Sequence, residues 1–444
     1  MIFWVQVINS NNRSDSRLSH LIALTALVIA GETIFLLPFV LSRIFRPTFL
    51  DIFNITNLQL GTAFSLYGII AMVSYFAGGP LADRFPARHL LVAALLATSL
   101  GGLIMASIPP ISLLTLLYGF WGLTTIFLFW GALIKTTREL GGHHQGQAFG
   151  LLDGGRGLFA AVMSSLSVII FAALLPEAVE TASFEQRADA LGNIIVLFSG
   201  MGVLSAVLVW FFIPLSSSAN SAILNSQPSS SQLNLQDLKK VLSMKAVWCQ
   251  ALIILCAYVA YKSTDDFSLY ARDAFGYNEV DAARIGTISF WMRPIAAVSA
   301  GLLADRFNST LILVISFSLV IAGSTFIAAG LVLPGLLWLL LLTIAATSAG
   351  IYALRGLYFA IFGEAAVPAH VTGTAVGVVS FVGFTPDIFM GPLMGYLLDN
   401  SPGAAGHQHV FMVVALFAVF GLIATVVFNR ITKKLIYKDE GISP

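Results

Sequence analysis

Nine ionisable side chains interrupt the long apolar runs of this chain: Glu32, Asp153, Arg156, Lys262, Asp265, Asp266, Arg293, Arg355 and Asp387. A charge in such a setting costs about 3 kcal/mol on insertion scales, so it faces a partner or a polar cavity. Asp153 and Arg156 stand three apart, and Lys262 lies three and four before Asp265 and Asp266, spacings that allow pairs within one helix. Arg293 and Arg355 have no acid within four residues. Each needs a distant counter-charge, for which Glu32 and Asp387 are candidates, or an anionic ligand. Arginine stays charged, and its planar fork suits carboxylate, phosphate or sulfonate. With five acids against four bases in this set, one carboxylate is expected to lack a partner and to be free to load and release a proton. Glu32 is the first choice, Asp387 after the helix-breaking Pro386 the second, and Asp153 the third.

Aromatic residues share these stretches: Tyr67, Tyr118, Trp121, Tyr258, Tyr261, Trp291, Tyr352 and Tyr358. Tyr261, Trp291, Tyr352 and Tyr358 flank the charges, where they can stack a sugar ring or bond hydroxyls, or serve as interhelical packing. With Arg156, Lys262, Arg293 and Arg355 they make up the candidate substrate-binding set. Enzyme chemistry finds no support. No nucleophile–base pair or metal-ligand cluster is present, and Gly154-Gly155-Arg156-Gly157 lies in an apolar run rather than after a strand. His143 with His144, and His407 with His409, read as solvated loop residues without a carboxylate or thiol set to hold a metal. Cys249 and Cys256 would sit about 10 Å apart on one helix, too far for a disulfide. Neither a cofactor nor a metal is expected.

The elements that must position these residues follow from composition. Of 444 residues 57% are hydrophobic and 10% charged, and mean hydropathy is +0.88. Formal net charge is +1 with no long basic block, which argues against a nucleic-acid partner. Apolar stretches at 18–42, 57–78, 89–108, 111–135, 148–174, 191–214, 246–268, 284–304, 310–331, 334–361, 373–397 and 409–429 are long enough to cross a bilayer as helices. The first, with no small-residue cleavage site behind it, reads as a retained span. With the N-terminus inside, cytoplasmic segments carry fourteen Lys and Arg and outer segments five: Arg43, Arg46, Arg187, Arg272 and Arg284. That bias places both termini in the cytoplasm. Ser216 to Gln232 is Ser/Asn-rich and reads as a flexible linker. The expected division is 1–214 for a first six-helix bundle, 215–245 for the linker, 246–430 for a second bundle and 431–444 for a tail.

The halves resemble each other. Gly79-Pro-Leu-Ala-Asp83-Arg84-Phe85 follows the second stretch, and Gly301-Leu-Leu-Ala-Asp305-Arg306-Phe307 follows the eighth. A weaker match sets Gly146-Gln-Ala-Phe-Gly150 against Gly373-Thr-Ala-Val-Gly377. Two such repeats suggest a parallel two-fold about the membrane normal. On these motifs the chain resembles the major facilitator superfamily of secondary transporters. Gly79, Leu81, Ala82, Asp83, Arg84 and Arg88 match that family's G-x-L-a-D-R-x-G-R-R loop, while Pro86 and Ala87 depart from it. The second copy loses its basic tail to Asn308, Ser309 and Thr310.

The resemblance implies an all-α polytopic membrane protein with twelve transmembrane helices in two six-helix bundles. It also implies that Gly79, Asp83, Arg84, Gly301, Asp305 and Arg306 gate the cytoplasmic side, latching the bundles in the outward-facing state. Gly79 and Gly301 are expected to let helices approach closely there. The family's antiport-associated glycine run is absent from the fifth stretch, which reads Gly150-Leu-Leu-Asp-Gly-Gly-Arg-Gly157.

Together these observations lead to a proton-coupled importer of a small organic anion, such as a carboxylate metabolite, a phosphorylated or sulfonated sugar, or a carboxylate siderophore. It is expected to be a monomer in a bacterial inner membrane, with the lipid bilayer, protons and a small-molecule substrate as its partners. Two alternatives stay open: a proton-antiport exporter of drug-like or siderophore-like molecules, and a transporter-like sensor that binds without translocation.

Overall fold

A computed structural model describes residues 14–142, 145–215, 235–358, 361 and 371–439. The described residues form helices joined by turns and short loops, without a strand. Among them twelve helices are long and apolar enough to cross a membrane. They are span 1 (Ser19–Ile44), span 2 (Asn57–Tyr75), span 3 (Ala87–Ala106), span 4 (Ile111–Gly141), span 5 (Gln147–Leu174) and span 6 (Phe184–Phe212). The second half supplies span 7 (Lys245–Asp265), span 8 (Glu279–Arg306), span 9 (Ser309–Ala328), span 10 (Leu337–Leu357), span 11 (Thr374–Asn400) and span 12 (Ala404–Lys433). The expected linker, for 216–234, lies outside the described residues, as do His143 and His144.

Side-chain caps decide where several spans begin. Thr56 and Gln59 form a capping box at the start of span 2, Ser183 and Gln186 another at span 6, and Asn278 caps span 8. Spans 6 and 8 start one to two turns earlier than their apolar stretches because those first turns, Phe184–Arg187 and Glu279–Ala282, are partly polar.

Three of the charge-bearing spans are not plain α-helices. After Thr33, span 1 passes through a π-helical turn at Leu36–Val40, where Pro38 removes a backbone donor. Span 7 runs as α-helix to Lys262, tightens into a 3-10 turn at Ser263–Asp265, and hands over to a short helix, Phe267–Phe275. Span 11 breaks between Gly383 and Pro386. These three irregularities sit beside ionisable residues: Glu32, Lys262 with Asp265, and Asp387. A fourth, the π-helical stretch Leu123–Trp130 of span 4, contains none.

The packing is repeated. Spans 3 and 6 pair in the first half as 9 and 12 do in the second; 2 with 4 matches 8 with 10, and 1 with 5 matches 7 with 11. Between halves, span 2 packs on span 11 and span 8 on span 5. Advancing every number by six exchanges these two contacts, as the two-fold inferred from the repeated loops requires.

At the 2–11 seam the backbones touch. A Cβ on Gly61 would collide with the Gly391 carbonyl; on Gly68 it would stand 2.6 Å from the Asp387 carbonyl oxygen, and on Gly395 2.5 Å from that of Asn57. Small residues at such a crossing let dispersion contacts replace the hydrophobic drive that lipid cannot supply.

Candidate functional site

Where the bundles meet, Glu32 of span 1 is buried between two arginines. Its Oε1 accepts from Arg293 Nη1 at 2.9 Å, and its Oε2 lies 3.3 Å from Arg156 Nε. Arg156 also stands over the rings of Phe35 and Trp130, at 5.5 and 5.6 Å. Asp153, with a side chain 60% exposed, reaches Arg293 at 3.7 Å. The helical pair expected between Asp153 and Arg156 is therefore replaced: Arg156 turns to Glu32 on span 1, and Asp153 to Arg293 on span 8. The distant counter-charge anticipated for Arg293 is Glu32.

A second cluster surrounds Lys262 of span 7. Its Nζ lies 3.5 Å from Asp265 and 3.5 Å from Asp387, above the rings of Phe39 and Phe64. Tyr258 donates its hydroxyl to Asp387 at 3.0 Å. Asp265 is gripped by Arg43 Nε at 2.6 Å, and Arg46 donates to its backbone carbonyl. Arg43 and Arg46 were expected in an outer loop. Both are buried instead, because span 1 continues through its π turn to Ile44 and a short helix, Arg46–Phe53, tucks beneath it.

Asp266 does not pair with Lys262. It faces the other way, onto His407, whose ring is wholly buried rather than solvated in a loop; His409 is exposed and bonds Ser401. With Asp266 removed from the central set and Arg43 and Arg46 added, the charge balance inverts. Among the described residues six cations, Arg43, Arg46, Arg156, Lys262, Arg293 and Arg355, face four carboxylates, Glu32, Asp153, Asp265 and Asp387. The surplus charge is positive, and two of the cations have no carboxylate of their own.

One of them, Arg46, is held by the Asn57 side chain and the Asp265 carbonyl; the other is Arg355. No carboxylate of a described residue pairs with it; its guanidinium lies 3.7 Å from the centre of the Tyr261 ring and 5.8 Å from that of Tyr258. The same Tyr261 donates no charge but accepts a hydrogen bond from Arg43 Nη2 at 3.2 Å and stacks under Arg43 at 4.8 Å. Tyr352 is buried 6.2 Å from the Tyr261 ring, its hydroxyl without a hydrogen-bond partner. Tyr358 is buried at the C-terminal cap of span 10, and its backbone carbonyl accepts from Gln250. Trp291 stands apart, 41% exposed, donating to Ser165 of span 5. Tyr67, Tyr118 and Trp121 are packed within the first bundle, Tyr67 against Thr125 and Trp121 donating to the Thr98 carbonyl.

The end of the molecule remote from Ser19 and Lys433 is closed. Asp399 accepts from the backbone of Asn57 and Leu58 at 3.0 and 2.8 Å, a carboxylate set at the positive start of span 2. Arg187 pairs with Glu279, and Arg272 with Asp51 at 2.9 Å. Burial opposes ionisation of Asp273, but the hydrogen bond from His407 and the charge of Arg272 outweigh it and hold this carboxyl below the ordinary range.

At the opposite end, Asp83, Arg84, Asp305 and Arg306 are exposed, and the two arginines lie over their own neighbours Phe85 and Phe307. Nothing described stands within 4 Å of a Cβ built on Gly79 or Gly301. The close approach expected of these two glycines is absent here; at the 2–11 seam the glycines that bring the bundles together are Gly61, Gly68, Gly391 and Gly395.

Sequence reasoning missed Arg43, Tyr258, the seam glycines and His407. Arg43 carried a signal, since it stands as far from Asp265 as Gly79 does from Gly301.

The comparisons agree with this architecture. A family profile described as Major Facilitator Superfamily matches residues 21–387. Inner membrane protein YqcE of Escherichia coli (strain K12) is 27% identical over 406 residues, 88% of this chain and 90% of that protein. Inner membrane protein YihN of the same organism is 24% identical over 414 residues, 92% and 95% of the two chains. Among solved structures, the nucleoside transporter NupG superposes with a TM-score of 0.68 at 14% identity, over 92% of this chain and 98% of that one. The D-xylose-proton symporter gives 0.69 at 15% identity, over 92% and 96%. Those two likenesses bear on the fold alone, whereas the profile spans most of the sequence, and the chain belongs to the Major Facilitator Superfamily.

Proposed function

We propose that the protein is an inner-membrane secondary transporter that couples a proton to the movement of a small anionic solute by alternating access. The observation that carries this reading is the surplus cation Arg355, stacked on Tyr261 beside the unpartnered hydroxyl of Tyr352. An anion there would offset the Arg355 charge, take the guanidinium fork in two hydrogen bonds, and leave the ring stack in place. Arg293 of the same bundle and Arg156 from the other side of the interface extend the positive field. The inner membrane is supported by the names of the two Escherichia coli relatives, and small polar cargo by the sugar and nucleoside named for the two structures of like fold.

Asp387 is the better proton carrier of the two leading candidates. Protonating Glu32 would leave Arg156 without a counter-charge and Arg293 with only the exposed Asp153, whereas protonating Asp387 leaves Lys262 still paired with Asp265. With the termini in the cytoplasm, the closed remote end makes this the inward-facing state. The exposed Asp83, Arg84, Asp305 and Arg306 then belong to a latch that is disengaged here and closes in the outward-facing state.

The test is thermal stability of the purified protein with carboxylates, sugar phosphates and sulfonates, set against neutral sugars and lipophilic cations. A ligand that binds the folded state raises its apparent stability. Stabilisation by an anion that is lost in Arg355→Ala, with the ligand-free melting temperature retained, is the expected result. Stabilisation by lipophilic cations alone, or an Arg355→Ala response equal to wild type, overturns the reading.

A further inference from the structure

His407, on the first turn of span 12, lies outside the central cluster and is wholly buried. Its Nδ1 is 2.7 Å from Asp266 Oδ2, and its Nε2 is 3.4 Å from Asp273 Oδ2. A neutral imidazole has one N–H and one lone pair, so one of these contacts would set a lone pair against a carboxylate. Both are attractive only for the imidazolium. The other titratable or charged groups near it are Tyr270, whose ring is 5.2 Å away, and Arg272, which reaches it through Asp273 at 2.9 Å. Span 9, packed against span 12, has no titratable residue, Asp399 of span 11 is engaged on Asn57 and Leu58, and His409 turns to Ser401.

The position of the clamp matters more than its strength. Asp266 directly follows Asp265: one faces His407, the other faces Arg43 and Lys262, at the point where span 7 changes from a 3-10 turn to the short helix Phe267–Phe275. Through Asp266 the imidazolium fixes the backbone that presents Asp265 to Arg43. Through Asp273 it fixes Arg272, which crosses to Asp51 of the first bundle. One ring is thus joined to the Arg43–Asp265 pair of the central set and to the Asp51–Arg272 pair of the remote end, both of which bridge the two bundles.

We propose that His407 is a positioning residue that makes closure of this end depend on proton activity: as imidazolium it keeps the Arg43–Asp265 and Asp51–Arg272 contacts in place, and on losing its proton it releases them. The inference rests on the alternating-access reading but uses neither the anion nor Asp387.

The test is a distance measured across the remote end without any substrate. Spin labels go on Asp189→Cys of span 6 and Arg284→Cys of span 8, both exposed, in a Cys249→Ser, Cys256→Ser background, and pulsed electron paramagnetic resonance reads the purified full chain. Between about pH 6 and about pH 9 the population at longer separation should rise at least about fivefold. His407→Gln, which carries no charge, should show the long separation at both pH values. A wild-type distribution that does not change with pH, or a His407→Gln series that follows wild type, overturns the proposal. Should His407→Gln not fold, the wild-type series still decides, and Asp273→Asn, which removes one arm of the clamp, is expected to open partly at the lower pH. A negative result here leaves the anion screen untouched, and a failed screen leaves this series interpretable.

Discussion

Arg43 and Asp265 meet at 2.6 Å across the interface between the bundles, and the 222 residues that separate them are the spacing of the repeated loops at Gly79 and Gly301. They hold equivalent places in the two repeats, so the pair lies on the two-fold axis. Asp51 and Arg272, 221 apart, form a second such pair with the signs exchanged. Breaking a buried pair by removing one partner leaves an uncompensated charge and costs about 3–5 kcal/mol, while removing both costs much less. Arg43→Gln and Asp265→Asn should each lower the melting temperature sharply, and the double variant should recover part of the loss. A double-mutant cycle on thermal unfolding reads the coupling, and additive losses would show that the pair is not a unit.

Arg355 is expected to act through its plane as well as its charge. Lysine keeps the charge but loses the flat stack over Tyr261 and the two-pronged grip on an oxyanion. Arg355→Lys should therefore restore little of the anion-dependent stabilisation missing in Arg355→Ala. Recovery to the wild-type shift would mean that a point charge suffices.

The two central carboxylates should separate by phenotype. Asp387→Asn is expected to keep exchange of the anion found by the stability screen in proteoliposomes and to lose accumulation driven by a proton gradient. Glu32→Gln, which strips Arg156 and Arg293 of their shared partner, is expected to lose both, with a destabilisation of about 3 kcal/mol or more. Gradient-driven accumulation by Asp387→Asn would move the proton elsewhere.

Gly391 faces the backbone and Cβ atoms of span 2, with no flexible side chain to give way. Gly391→Ala should cost about 1–3 kcal/mol, as overpacking does, and open the remote end. Gly377, with nothing described within 4 Å, should accept alanine with an unchanged melting temperature, which makes it the control.

How far the sequence could be read depended on the range of the interaction. Span positions and the six-plus-six repeat rest on local composition and on Gly79–Phe85 against Gly301–Phe307, so they were visible. Arg293 and Arg355 stood out because no acid lies near them in the chain, and Glu32 was named among the partners of Arg293 for the same reason. The pairings of Asp153, Asp266 and Arg43 were not visible. For Asp153 helical spacing suggested Arg156, but on a regular helix its partner comes from span 8. Arg43 follows the π turn at Leu36–Val40 and Asp266 the 3-10 turn at Ser263–Asp265, local breaks that regular spacing does not reveal. His407 looked like a loop residue because its carboxylates lie 141 and 134 residues away.

The crossing of spans 2 and 11 is made from backbone at Gly61, Gly68, Gly391 and Gly395. Where side chains interdigitate, a joint can yield by degrees as one rotamer after another changes. A joint of bare backbone has no rotamers to exchange, so it is either in contact along its length or parted. Opening at this end should accordingly be cooperative, with few molecules caught half-way, and the time spent open should be set by how often the whole seam lets go.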